Sequence, residues 1–287
     1  MTCQCQRSVQ VYLYRGLLNA LGVATEQREV TVNARVSSKA ALVFLLLVFT
    51  IPKVNAQSYL EGTEDRWRFL LAPYLWAVNI NGDIAARGVE GDINLGFDEL
   101  LDQVDIAAQV HFEAKKDKWA FILDSTYIEA SDDNARVGPA PAETELEYLM
   151  TELLTAYRFS PKWEVIGGLR LWDMENIVTI GGGPRIKQST DWVDLVGGAR
   201  FTTRLMKKWF FIGRGDIGGF GISDSSDISL GASALFAWQF GKNDSLVLGY
   251  RILNVNREDG SGANKFEVDL TQDGPLVGVA FTWPRKK

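Results

Sequence analysis

Few residues of this chain have the types and spacing that acid–base chemistry needs. The single histidine, His111, lies two positions before Glu113, so an extended strand would place both side chains on one face. An imidazole beside a carboxylate can serve as a general base, which makes a hydrolase one hypothesis. However, polar and apolar residues alternate around His111, which places it within a strand rather than at a loop. We therefore predict a hydrogen-bonded structural histidine and no catalytic residues, and keep a hydrolase using loop acids as an alternative.

Metal and phosphate sites are weakly supported by the remaining motifs. The acidic residues between 79 and 104 suggest either calcium binding or a solvated acidic surface, and their spacing lacks a calcium-loop pattern. The run GGG at 181–183 is not followed by a helix that could present amides to phosphate, so it indicates a flexible loop tip. Cys3 and Cys5 lack the further ligands of a zinc site. We expect neither a metal nor a cofactor.

The N-terminal part of the chain predicts export. Residues 40–52 are strongly apolar, follow the basic residues Arg35 and Lys39, and precede VNA at 54–56. This is the three-part form of a signal peptide, with cleavage between Ala56 and Gln57. An N-terminal anchor helix is the alternative. We interpret 1–35 as an over-extended, unstructured N-terminus or short helix, 36–56 as the signal peptide, and 57–287 as one domain.

The charge of that domain limits its partners. Residues 57–287 hold 24 of the 30 basic and 34 of the 36 acidic residues of the chain, which gives a net charge of −10. A nucleic-acid partner would need a basic face, so none is expected.

Alternation with a period of two residues dominates after residue 65 and predicts β-strands. No amphipathic helix interrupts the pattern, apart from about two helical turns expected at 97–104. Short connections alternate with longer ones rich in Gly, Asp, Asn and Ser. We predict ten antiparallel strands, with eight or twelve as alternatives, at 66–78, 105–116, 119–131, 145–159, 163–176, 189–206, 209–222, 227–241, 245–256 and 265–283.

The two faces of these strands differ in a way that is typical of a membrane barrel. One face is apolar and nearly free of charge, whereas the other carries charges of both signs. In a bilayer the apolar face meets lipid, and the sheet must close because unpaired edges are costly in hydrocarbon. The fold class predicted is a closed, antiparallel, up-and-down transmembrane β-barrel. We expect a salt-bridge network in its lumen, formed by Glu152, Arg158, Arg170, Asp194, Arg200, Arg214, Asp216 and Arg251.

Aromatic residues mark the ends of the predicted strands. Trp119, Trp163 and Trp209 follow the short turns KDK, SPK and MKK, at intervals of 44 and 46 residues. Tyr127 lies on the same face as Trp119, eight residues further on, which corresponds to a height of about 20 Å in a tilted strand. Indole and phenol rings favour the headgroup region, so these four residues predict an aromatic girdle.

Four segments resemble a widespread group of porin-like, uncharacterised outer-membrane β-barrel proteins of Gram-negative bacteria. They are Trp67 with PYLW at 73–76, FDELLD at 97–102, KWAFILDSTY at 118–127 and GPLVGVAF at 274–281. The resemblance implies an outer-membrane location and contact with lipid and with the barrel-insertion machinery. A family member commonly ends on an aromatic residue, whereas PRKK follows Trp283 here. The function expected is that of a structural or loop-presenting barrel, most simply a monomer, with a narrow passive channel as the alternative.

Overall fold

The computed structural model describes residues 65–86, 89–97, 104–132, 136–137, 140–222, 225–259 and 266–284. The predicted N-terminal segment, the signal peptide with Ala56 and Gln57, and residues 98–103 of the predicted helical turns lie outside these ranges. Among the described residues, no helix is long and apolar enough to cross a membrane.

The described chain consists almost entirely of antiparallel strands. Their bounds are β1 Arg68–Trp76, β2 Asn79–Ala86, β3 Val89–Leu95, β4 Val104–Lys116, β5 Trp119–Asp132, β6 Arg136–Val137, β7 Ala140–Arg158, β8 Trp163–Ile180, β9 Arg185–Met206, β10 Trp209–Gly219, β11 Ile228–Gln239, β12 Asp244–Asp259 and β13 Phe266–Trp283.

Ten of these strands close into a ring. Each neighbouring pair in the order β1, β4, β5, β7, β8, β9, β10, β11, β12, β13 is hydrogen-bonded, and β13 pairs back to β1. The closing ladder runs from Phe69 opposite Trp283 to Trp76 opposite Leu276. The predicted closed barrel of ten strands is therefore confirmed, and so are its four short turns at one end, each between adjacent ring strands.

The first long connection departs from the prediction, because it contains the hairpin β2–β3. Strand β13 is long enough to pair with β1 along its second half and with β2 along its first half. The link between β1 and β2 stays hydrogen-bonded to β13 through Ala77 N, 2.9 Å from Pro275 O. This close approach requires Gly274, since a Cβ there would lie 1.9 Å from Ala77 O. Strand β6 also lies off the ring and pairs with β7.

The outer surface of the ring is apolar and the inner positions are buried. Along β5, Trp119 and Phe121 are exposed, whereas Ala120, Ile122 and Asp124 between and after them are buried. The same alternation recurs around the ring, so a continuous apolar belt faces outward. Burying such a belt in hydrocarbon is favourable, and the closed ladder leaves no unpaired edge there. The protein is therefore a closed, ten-strand transmembrane β-barrel.

Strands β7, β8 and β9 extend further than the membrane requires. They contain 19, 18 and 22 residues, against 11 for β10. At ~3.3 Å per residue and a tilt of ~40°, the longest spans about 55 Å, roughly twice the usual apolar band. Their far ends carry exposed ion pairs, Arg185 with Glu145 and Lys187 with Glu175. We call the part of these three strands that lies beyond the paired positions Glu147 on β7, Glu175 on β8 and Ser189 on β9 the projecting ribbon.

Candidate functional site

The candidate site is the barrel lumen, where charged side chains form two connected clusters. The turn-side cluster lies nearest the short turns and contains Glu113, Lys115, Arg158, Glu164 and Arg200. The central cluster contains Asp124, Glu152, Arg170, Arg214, Asp216 and Arg251. All of these side chains project inward from ring strands and are buried or nearly so.

Glu164 is the centre of the turn-side cluster. Its Oε1 lies 3.0 Å from Lys115 Nζ and 2.7 Å from Arg158 Nη2, and its Oε2 accepts from Arg200 Nε at 2.7 Å. Arg200 also donates through both terminal nitrogens to Glu113, at 2.7 and 3.1 Å. Such bidentate arginine–carboxylate pairs fix the orientation of both side chains. They are strong hydrogen bonds because both partners are charged.

Glu152 is the centre of the central cluster and is completely buried. It accepts from Arg170 Nη2 at 2.7 Å and from both terminal nitrogens of Arg214 at 2.8 and 2.9 Å. Arg251 Nη2 lies 3.6 Å away. Asp216 provides a second negative charge to two of these arginines. Its Oδ1 lies 2.6 Å from Arg170 Nη2, and its Oδ2 lies 2.8 Å from Arg214 Nε.

His111 connects the two clusters. Its Nδ1 lies 2.9 Å from Asp124 Oδ2, and its Nε2 lies 3.8 Å from Glu113 Oε2. Asp124 in turn accepts from Tyr74 Oη at 2.9 Å and from Arg251 Nη1 at 3.2 Å. The histidine thus lies inside the lumen between two carboxylates, away from the loops.

Of the eight residues predicted to form the lumen network, the structure brings seven into the two clusters. Asp194 is the exception, since its hydrogen bonds are to Trp172 Nε1 at 3.0 Å and to Ser226 N at 2.8 Å. The sequence-based network also omitted Glu113, Lys115, Asp124 and Glu164. Their inward positions were visible in the alternation, but their ion-pair partners lie on other strands and have no local signature.

An apolar layer above the clusters was not predicted. We call it the aromatic plug; it consists of Trp76, Val78, Tyr148, Met150, Trp172, Trp192, Leu253, Val255, Val268 and Leu270, all buried in the lumen toward the long-loop end. Trp172 and Trp192 stack with centroids 5.2 Å apart. Tyr148 Oη donates to Gln272 Oε1 at 3.0 Å, which joins β7 to β13. The layer therefore contacts strands from both sides of the ring.

The three tryptophans of the predicted girdle lie on the outer surface at the turn end. Trp119 packs against Tyr157, Trp163 against Phe201 and Trp209 against Trp238, with centroids 4.8, 4.9 and 6.3 Å apart. Tyr127 also faces outward, and its hydroxyl donates to Glu147 at 3.2 Å.

Below the plug lies a cavity with a volume of about 170 Å³. Charged side chains of both clusters line one part of it. Apolar or small side chains of β1, β11, β12 and β13 line another part, among them Leu70, Leu235, Val247 and Leu276. No group of three or more potential metal ligands with suitable geometry occurs among the described residues.

Together, the even strand number, the antiparallel ring, the short turns at one end and the charged lumen define an outer-membrane β-barrel of the Gram-negative type. No protein-family model matches the chain, and a search of curated proteins gave no significant match.

Among solved structures, the chain is similar to the outer membrane protease OmpT of Escherichia coli, with 9% identity, a TM-score of 0.45 and coverage of 77% of this chain and 98% of that one. It is also similar to the translocator domain of the autotransporter NalP of Neisseria meningitidis, with 15% identity, a TM-score of 0.39 and coverage of 77% of this chain and 88% of that one. A third similar structure is Ail of Yersinia pestis in complex with sucrose octasulfate, with 8% identity, a TM-score of 0.38 and coverage of 76% of this chain and 98% of that one. These values are too low to transfer an activity to this chain.

Proposed function

We propose that the protein is a structural, loop-presenting barrel of the outer membrane, without a continuous aqueous path through its lumen. The observation that carries this proposal is the aromatic plug. Tyr148 and Trp172 on one side of the ring pack in one buried cluster with Leu253 and Leu270 on the other. A pore would need polar, hydrated walls at this level, whereas these side chains are 1–7% exposed.

The clusters below the plug support the same proposal. Their arginines are held by carboxylates at 2.6–3.2 Å, so a permeating ion would have to displace strong, buried ion pairs. His111 is held between Asp124 and Glu113 in the same region, which supports a structural role over a catalytic one. A narrow passive channel is the competing function, and it would require the plug to move aside.

The proposal places the short turns in the periplasm and the projecting ribbon outside the cell. The chain would be exported through a signal peptide cleaved after Ala56, inserted by the barrel-assembly machinery, and surrounded by lipid as a monomer. The exposed ion pairs at the far ends of β7–β9 support a place for the ribbon outside the bilayer, because a charged ribbon is stable in water but not in hydrocarbon. Its extracellular side is supported by the short turns at the opposite end, since outer-membrane barrels have short periplasmic turns and longer extracellular connections.

Conductance across a planar lipid bilayer tests the closed lumen. Refolded protein should give no sustained single-channel steps, and its heat-modifiable migration on gels should show that the barrel is folded. Sustained steps from folded wild-type protein would replace this proposal with the passive channel.

Cysteine labelling tests the orientation, since residues 57–287 contain no cysteine. Gly182→Cys lies at the tip between β8 and β9, whereas Lys208→Cys lies in the turn between β9 and β10. A membrane-impermeant maleimide should label the first variant on intact cells and the second only after lysis. The reverse pattern would contradict the proposed orientation.

A further inference from the structure

The four short turns form a basic surface at one end of the barrel. They comprise residues 117–118, 159–162, 207–208 and 240–243, all of which the structure describes. Within them Asp117 contributes the only carboxylate. The turns also contain five lysines, all of them exposed: Lys118, Lys162, Lys207, Lys208 and Lys242. Five positive charges against one negative charge leave the turns with an excess of four positive charges.

The five turn lysines form no ion pair with another residue that the structure describes. Lys116, at the end of β4, differs from them because its Nζ lies 3.7 Å from Asp65 Oδ1. The ammonium groups of the turn lysines are therefore available to an anionic partner.

The barrel fixes the height of three of these lysines. The carbonyl oxygens of Lys118, Lys162 and Lys208 each accept a hydrogen bond from the backbone of the neighbouring strand, in every case at 2.8 Å. Each of the three also directly precedes an outward tryptophan of the girdle. Indole rings favour the headgroup region, and a lysine carries its ammonium on a flexible four-carbon stem. The ammonium groups are thus within reach of lipid phosphates on this side of the bilayer.

The other membrane surface of the barrel has the opposite charge. Glu129, Glu147 and Glu175 lie opposite one another in register on the outer faces of β5, β7 and β8. Lys187 contacts Glu175, so this row of three carboxylates keeps a negative excess. An anionic lipid surface would be repelled there and attracted only at the turn end.

We propose that the short turns form a docking surface for anionic phospholipid headgroups. The lysines contact the phosphates, and the girdle tryptophans lie against the glycerol and the upper acyl chains. In the proposed orientation, this surface meets the periplasmic leaflet. The proposal requires a transmembrane barrel but not a closed lumen. Its failure would leave the closed lumen intact, and a conducting lumen would not remove the docking surface.

Tryptophan quenching by brominated phospholipids tests the proposal at the turn end. The outward tryptophans are 37–50% exposed and all lie at this end, whereas the other three belong to the buried aromatic plug. The outward ones are Trp67, Trp119, Trp163, Trp209, Trp238 and Trp283. Lipid-dependent quenching therefore reports on lipids beside the turns.

The wild-type barrel is refolded in phosphatidylcholine vesicles that contain equal fractions of either brominated phosphatidylglycerol or brominated phosphatidylcholine. The bromine atoms are placed in the upper part of one acyl chain. We expect phosphatidylglycerol to be preferred about threefold at an ionic strength of about 0.1 M, because lysines near a membrane surface attract anionic lipid. The preference should disappear at about 1 M salt, where the Debye length falls to about 3 Å.

Matched variants assign the preference to the lysines. A barrel with Lys118→Gln, Lys162→Gln and Lys208→Gln should prefer phosphatidylglycerol less than about 1.5-fold. Arginine at the same three positions keeps the charge and should keep the preference. Arg185→Gln combined with Lys187→Gln removes two cations from the projecting ribbon, on the far side of the bilayer from the outward tryptophans. This control lowers the net charge in the same direction and should leave the preference unchanged.

Heat-modifiable migration on gels shows which variants are folded. If the triple glutamine variant does not fold, Lys162→Gln and Lys162→Arg replace the two triple variants, and only the first should weaken the preference. Equal quenching by the two brominated lipids in the wild type would overturn the proposal. A preference that a folded glutamine variant retains in full, or that about 1 M salt leaves unchanged, would also overturn it.

Discussion

Replacing Glu152 by glutamine tests the central cluster directly. The side chain is fully buried, and Arg170, Arg214 and Arg251 share it as a counter-charge. Glutamine has nearly the same shape but no charge, so the three guanidinium groups would lose a common partner. Removing one member of a buried ionic network typically costs about 3–5 kcal/mol. Because Asp216 still neutralises Arg170 and Arg214, we expect a loss of about 3 kcal/mol in the free energy of unfolding.

The measurement is equilibrium unfolding by urea in lipid vesicles, followed by tryptophan fluorescence. Glu147→Gln is the matched control on the same strand, since Glu147 is exposed, and it should change stability by no more than about 0.5 kcal/mol. The double variant Glu152→Gln, Arg214→Gln should lose less than the sum of its single variants, because charge balance is partly restored. A loss below about 1 kcal/mol for Glu152→Gln, with an unchanged denaturant dependence, would show that the cluster is not an ordered ionic network.

The other predictions concern the plug and the outer belt. Trp172→Ala removes a ring that is 2% exposed and stacked on Trp192, and should lower the free energy of unfolding by about 3–5 kcal/mol. Planar-bilayer recordings of this variant should show current steps that the wild type lacks. A stable variant without current steps would argue against the plug as the barrier. Leu153→Arg, on the outward face near the middle of the part of β7 that lies below the projecting ribbon, should cost about 2–4 kcal/mol in vesicles. Leu205→Arg, next to a short turn, should cost about 0–1 kcal/mol. Equal costs at the two positions would contradict the assigned height of the apolar belt.

Strand positions and faces could be predicted from the sequence because alternation is a local property. The turns after Lys116, Arg158, Met206 and Gln239 are short and begin or end with polar residues, so they fix where each strand reverses. The inward orientation of Arg170 and Glu152 follows from the same alternation. Their contact with Asp216 does not, because it depends on how the strands are staggered around the closed ring.

Two features were missed for different physical reasons. Trp172 and Trp192 are of the same residue type as the outer girdle. A sequence pattern does not show whether an inward tryptophan packs into a plug or lies singly among polar inward residues. The sequence predicts a loop where the hairpin β2–β3 lies, because NING, at 79–82, is rich in turn-forming residues. Its pairing with β13 depends on residues 266–273, almost 200 positions away, so no local pattern reveals it.

The hydrogen bonds that cross the lumen also change how the barrel should respond to force. A barrel held only by neighbouring ladders can come apart one hairpin at a time when its chain is pulled from one end. Here Tyr148 is joined to Gln272, and Asp124 to Arg251, across separations of 124 and 127 residues. These hydrogen bonds connect opposite walls of the barrel, so pulling out the last hairpin would also weaken the contacts of the first hairpins. Under force, the barrel would then unfold in a few large steps rather than in a series of small, equal ones.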